Sequence, residues 1–145
     1  MKLFLHEDKS IKETIVDVTY RAYNSKVKNL VELIKENNIQ LQGDKENKTY
    51  LLDSSEVYYI ECVDNATFLY TELDVFENKQ KLYNFKRKLS KSSFIQINKS
   101  TILNMNYLDN VQPLPNYRLE AQLENGDRLV INRHYMKDVK KYLNI

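Results

Sequence analysis

Two runs of alternating residues, Arg118 to Leu123 and Asp127 to Ile131, flank Glu124-Asn125-Gly126, and this hairpin signal constrains the fold more than any other stretch. Glycine enters the left-handed backbone region without steric cost, so Gly126 suits the last position of a three-residue loop. That loop sets Ala121 opposite Leu129 and Leu119 opposite Ile131, with apolar residues on one face, whereas a two-residue Asn-Gly loop mismatches them. The three-residue loop is therefore expected, and with it an antiparallel sheet. It delivers Asn132-Arg133-His134 to the start of a last helix.

Strand patterning extends upstream. Ile39 to Gln42, Thr49 to Asp53, Val57 to Val63 and Thr67 to Leu73 predict an antiparallel succession with Gly43-Asp44 and Asp64-Asn65 as turns. Val57, Tyr59 and Glu61 alternate with Tyr58, Ile60 and Cys62, so bulky residues lie on both faces of one strand, and its tyrosines are expected in a core rather than as platforms for bases. A helix running from a capping Asn78 through Leu89 turns Leu82, Phe85 and Leu89 inward and Lys79, Lys81, Lys86, Arg87 and Lys88 outward. Leu108 to Leu114 reads as a strand that Pro113 and Pro115 confine to an edge or a turn, because proline has no ladder donor.

The last helix, His134 to Leu143, has two unlike sides. At 100° per residue, Tyr135, Met136, Val139, Tyr142 and Leu143 share one arc, while His134, Lys137, Lys140 and Lys141 share the other, with Arg133 near its edge. One side packs and the other is basic.

The first 38 residues read differently. Lys2 to His6 and Thr14 to Tyr20 carry strand formers; then Val27, Leu30, Val31 and Ile34 recur at helical spacing from Ser25 to Asn37, with Asn24-Ser25 as a start cap and Asn37-Asn38 as an end. The chain is thus read as a small β-β-α extension, residues 1–38, followed by a mainly β domain, residues 39–145.

Charge divides along the same direction. Residues 1–78 hold 9 Lys and Arg against 15 Asp and Glu, a balance of −6; residues 79–145 hold 13 against 5, a balance of +8. A segregated basic half is the footprint expected of a polyanion-binding surface. The bland alternative is a solvated basic face on a non-enzymatic protein-interaction or regulatory module. Catalysis finds little support: two glycines make no Gly-rich phosphate loop, and no nucleophile triad or metal cluster is spaced for chemistry. Cys62 with His6 and His134 makes no recognisable zinc site, so neither metal nor cofactor is expected. No leader pattern or apolar run of about 18 residues appears, so neither secretion nor membrane insertion is expected, and a reducing cytoplasm is the natural setting.

The stretch Phe94 to Asn104, Phe-Ile-Gln-Ile-Asn-Lys-Ser-Thr-Ile-Leu-Asn, turns polar and basic in the middle of a strand-forming run. Its pattern Phe-x-x-Ile-x-Lys-Ser-x-Ile-x-Asn resembles the central motif of the LytTR family, bacterial DNA-binding domains built mostly of strand. Val57-Tyr58-Tyr59-Ile60-Glu61 resembles the family's first-strand motif, and Glu124-Asn125-Gly126 through Ile131-Asn132-Arg133-His134-Tyr135 resembles its closing hairpin and helix entry. The likeness covers roughly residues 39–145. Gln96 and Asn132 depart from the Arg and Ser that members commonly carry, which bears on sequence preference.

The resemblance implies an elongated antiparallel β fold with short helices, and a transcription regulator that binds double-stranded DNA as two copies on direct repeats. Its loops, rather than a helix-turn-helix, would enter the major groove. Carried onto this chain, it puts Asn65 and Thr67 in one DNA-approaching loop, Asn98, Lys99 and Ser100 in the central turn, and Asn132, Arg133 and His134 at the last helix. Lys99 and Arg133 have the donors to reach guanine O6 and N7, asparagines suit base edges, and Lys137, Lys140 and Lys141 suit phosphates. The resemblance also implies a homodimer, for which the extension offers a pairing element, and a small membrane protein encoded nearby as a working partner.

Overall fold

The computed structural model of the chain describes residues 1–36 and 39–145. Strands β1 (Gln40–Lys45), β2 (Lys48–Asp53), β3 (Tyr59–Val63), β4 (Ala66–Tyr70), β5 (Val75–Asn78), β6 (Phe94–Asn98) and β7 (Thr101–Asn104) form one antiparallel sheet in the order β2-β1-β5-β4-β3-β7-β6. A second sheet holds β8 (Leu108–Leu114), β9 (Arg118–Leu123) and β10 (Arg128–Ile131) in the order β10-β9-β8. The helices are α1 (Ser25–Glu36), α2 (Leu82–Lys88) and α3 (Met136–Leu143).

The predicted hairpin forms with the predicted register: Ala121 pairs with Leu129, Leu119 with Ile131, and Gly126 takes φ +92°. β8, with its two prolines nearby, lies at an edge of the small sheet, where a missing donor leaves no ladder partner unsatisfied.

The chain builds two cores on opposite faces of the large sheet. Leu41, Ile60, Leu69, Phe76 and Ile102 meet Phe85 and Leu89, from α2 and its end, in the first. Tyr59, Ile97 and Leu103 meet Ala121, Leu123 and Ile131 of the small sheet and Val139 of α3 in the second. Strands β3 and β7 serve both, because successive side chains point to opposite faces. Ile60 and Ile102 pair and enter the first core, while Tyr59 and Leu103 pair and enter the second. Each such aliphatic side chain contributes about 1.5–3 kcal/mol when fully buried. The tyrosines are core residues, as expected: Tyr59 stacks on Tyr70 and Tyr58 on Tyr107, with centroids 4.2 and 3.8 Å apart.

Several expectations are overturned. Residues 1–24 contain no strand, and Lys2–His6 and Thr14–Tyr20 are irregular and exposed apart from a half-buried Val18. β-propensity alone cannot hold a strand that has no ladder partner. The helix does form, and Asn24 caps it by accepting from the Val27 amide at 3.0 Å; the expected end at Asn37-Asn38 lies outside the described residues. Gly43 is not a turn residue but sits inside β1, where an added Cβ would lie 2.6 Å from the Phe76 Cβ. The turn comes at Glu46-Asn47, both with positive φ. Asn78 caps no helix: it ends β5, donates from Nδ2 to the Gln42 carbonyl at 2.7 Å, and α2 begins at Leu82.

Candidate nucleic-acid interface

Three turns meet at one end of the large sheet. Val63 pairs with Ala66, leaving Asp64-Asn65 as a two-residue loop, and both residues take the positive φ that a type I′ turn requires. Glu61 pairs with Thr101, and the Cys62 amide donates to the Ser100 carbonyl at 2.8 Å, so this loop borders the Asn98–Ser100 turn. On the other side the Asn132 amide donates to the Ile97 carbonyl at 2.9 Å, bringing the end of β10 against the end of β6.

Asn98 joins the last two segments. Its Oδ1 accepts from the Ser100 amide at 2.9 Å and the Ser100 hydroxyl at 3.0 Å, and its Nδ2 donates to the Val130 carbonyl at 2.9 Å. Gln96 adds a bond from Nε2 to the Asn98 carbonyl at 3.0 Å, across the irregularity in β6–β7 pairing between Gln96 and Asn98. The bulge lets the strand end re-aim its side chains. Lys99, between the two braced residues, is exposed.

The helix entry follows from the same contacts. Asn132 precedes a single 3-10 turn, Arg133–Tyr135, whose Tyr135 amide donates to the Asn132 carbonyl at 2.9 Å. Arg133 and His134 are exposed. Val139 is fully buried, and Tyr135, Met136 and Leu143 pack on the same core, which fixes α3 with Lys137, Lys140 and Lys141 outward. Tyr142, expected on the packed arc, is 46% exposed because that arc is wider than the core it covers.

The predicted site residues therefore separate. Asn65, Lys99, Arg133, His134, Lys137, Lys140 and Lys141 are exposed around these turns and on α3, and Asn132 is half-buried. Thr67 is 2% exposed within β4, so its hydroxyl is not presented to a ligand. Asn98 and Ser100 spend their side-chain polar atoms on each other and on Val130, which makes them braces for the turn. Reading the sequence did not find Gln96, the Val130 carbonyl or Tyr59 as supports. Tyr59 donates to Asp127 Oδ2 at 3.2 Å and ties the hairpin loop to the large sheet. Burial, then the Asp127 carboxylate, pushes the Tyr59 hydroxyl well above its ordinary pKa, so it stays a donor.

The family model described as the LytTr DNA-binding domain matches residues 47–144. The chain belongs to that family. Among relatives, the sensory transduction protein LytT of Enterococcus faecalis is 27% identical over 107 residues, 74% of this chain and 43% of that protein. The chain spans less than half the length of the LytT and LytR proteins it matches. An uncharacterised HTH-type transcriptional regulator of Staphylococcus aureus is 24% identical across all of this chain and 99% of its own length. The solved LytTr DNA-binding domain of a Bacillus cereus protein superposes with a TM-score of 0.69 at 24% identity, covering 73% of this chain and 97% of that one, a likeness of fold. In the LytTr fold seen here α2 and α3 are separated by five strands, so the described residues contain no helix-turn-helix.

Proposed function

We propose that this chain is a transcriptional regulator that binds double-stranded DNA in a sequence-specific manner, reading base edges with Lys99 and Arg133 and holding phosphates with Lys137, Lys140 and Lys141. Membership of the LytTr DNA-binding domain family and the regulator names of its relatives support DNA binding and regulation. The finer reading rests on one observation: the paired bonds Asn98 to Val130 and Asn132 to Ile97 bring exposed Lys99 and Arg133 to adjacent turns beside a basic helix face. Such turns suit the major groove, where each base pair presents a distinct donor and acceptor pattern. Phosphate contacts from α3 would fix register without carrying sequence information. Two copies on direct repeats would extend the readout.

Selection of bound duplexes from a random pool tests the proposal. A repeated motif should emerge, and affinity for it should fall steeply with salt, with a log–log slope of roughly −0.9 per neutralised phosphate. No enriched motif, or a flat salt response, would overturn it.

A further inference from the structure

We infer that Lys79 and Lys81, where β5 leaves the large sheet, form a second phosphate contact on the side of the turns opposite α3, so that the interface holds both walls of one groove. The inference rests on the DNA reading above and extends it to residues that reading does not use.

Strand pairing puts these lysines beside the turns. Ala66, the residue after the Asp64-Asn65 loop, pairs with Val63, and its neighbour Thr67 pairs with Asn78, the last residue of β5. Lys79 therefore leaves the sheet level with that loop. The strand order sets the β5 exit first along this end of the sheet, then Asp64-Asn65, then Asn98–Ser100; the bond from Asn132 to Ile97 adds the α3 entry beyond β6. The two basic groups flank the turns from opposite sides.

Spacing then says what the exit meets. Three steps between adjacent strands, at roughly 4.8 Å each, separate β5 from β7, about 14 Å in all. The major groove is only about 12 Å wide, so with Lys99 seated in it the β5 exit lies past the groove wall, over a phosphate strand.

The exit is also fixed and uncompensated. Asn78 donates from Nδ2 to the Gln42 carbonyl at 2.7 Å, and its Oδ1 accepts from the Gln80 amide at 2.7 Å, which holds the bend ahead of α2. Lys79 and Lys81 are exposed, and among the described residues neither has an ion-pair partner. Residues 79–108 hold seven Lys and Arg and no Asp or Glu, so the chain supplies no local carboxylate to neutralise them. Asp44 and Glu77, paired directly across β1 and β5, border the same hollow as Lys79 and bound the basic edge on that side. The contact comes from the lysine ammonium groups, which act on phosphate as point charges.

Two charge-matched double substitutions test the contact on the selected duplex. Lys79→Gln with Lys81→Gln removes two charges at the β5 exit. Lys88→Gln with Lys91→Gln removes two just before Phe94, which pairs with Asn104 at the opposite end of β6 and β7 from the turn. All four lysines are exposed, so thermal melts should match the parent's. The first pair should make the log–log salt slope shallower by roughly 1.8 units, at about 0.9 per phosphate, and weaken matched and scrambled duplexes by similar factors. The second should leave the slope unchanged. Ethylation interference should show the first pair losing phosphates across the groove from those lost by Lys140→Ala. An unchanged slope for the first pair, equal effects of the two pairs, or loss on the same side as Lys140→Ala would each overturn the inference and leave the DNA reading standing. A parent chain that selects no duplex would overturn both.

Discussion

Asn98 donates from Nδ2 to the carbonyl of Val130 at 2.9 Å, fastening the central turn of the large sheet to the last strand of the small one. The same side chain accepts two bonds from Ser100 through Oδ1. The Asn98 amide and the backbone bond from Asn132 to Ile97 thereby set the relative position of Lys99 and Arg133. Asn98→Ala should cost about 0.5–1.5 kcal/mol of stability, the net worth of bonds whose partners water can reach. In DNA binding, Asn98→Ala and Arg133→Ala should be non-additive by about 0.5–3 kcal/mol, since each change then affects the other's geometry. A double-mutant cycle on the selected duplex measures this, and simple additivity would show that the brace does not position Arg133.

Reading and holding should separate in binding assays. Lys99→Ala or Arg133→Ala should each cost about 1–3 kcal/mol on the preferred duplex and relax preference at one or two base positions. Lys140→Ala should weaken preferred and random duplexes by similar factors and make the salt slope shallower by roughly one unit. Competition against matched and scrambled duplexes at several salt concentrations checks it. If all three variants behave alike, the turn residues only clamp phosphate.

Gly43 is required by packing. An added Cβ would lie 2.6 Å from the Phe76 Cβ and 2.9 Å from the Leu52 Cδ1, and the nearest atom belongs to the root of a core side chain that cannot swing away. Gly43→Ala should destabilise the fold by about 1–3 kcal/mol, the usual cost of overpacking, with little effect on DNA affinity below the melt. Urea denaturation decides it; a midpoint equal to the parent's would mean that β1 and β5 can separate freely.

Alkaline pH should unfold the chain through buried Tyr59 and half-buried Tyr70 and Tyr107. Burial, followed by nearby negative charge, raises the pKa of Tyr59, Tyr70 and Tyr107 in the folded state. The unfolded chain loses these protons near pH ~10 while the folded chain keeps them. Their contribution is therefore fully present below pH ~10 and is lost as pH rises through the folded values. Melting temperatures from about pH 8 to 11 should show a steep decline, shallower in Tyr59→Phe, which has no phenol to ionise. An identical decline in that variant would remove Tyr59 from the explanation.

Local patterning by itself determined the hairpin from Arg118 to Ile131, the amphipathic α3 and the inward face of α2. In each, periodicity and one special residue, such as Gly126, specify which side is buried. The basic turn residues Lys99 and Arg133 were legible too, because exposure at turns is also a local property. Other features required tertiary structure. Gly43 looks like a turn in the sequence because nothing local announces Phe76 above it, and Asn78 looks like a cap because nothing announces Gln42 beside it. Thr67 and Asn98 both read as contacts, yet one is buried by strand pairing and the other is occupied by Val130, 32 residues away. The strands expected at Lys2–His6 and Thr14–Tyr20 failed for the complementary reason. A strand is completed by hydrogen bonds to a neighbour, so propensity names the candidates and only the assembled chain supplies or withholds the partner.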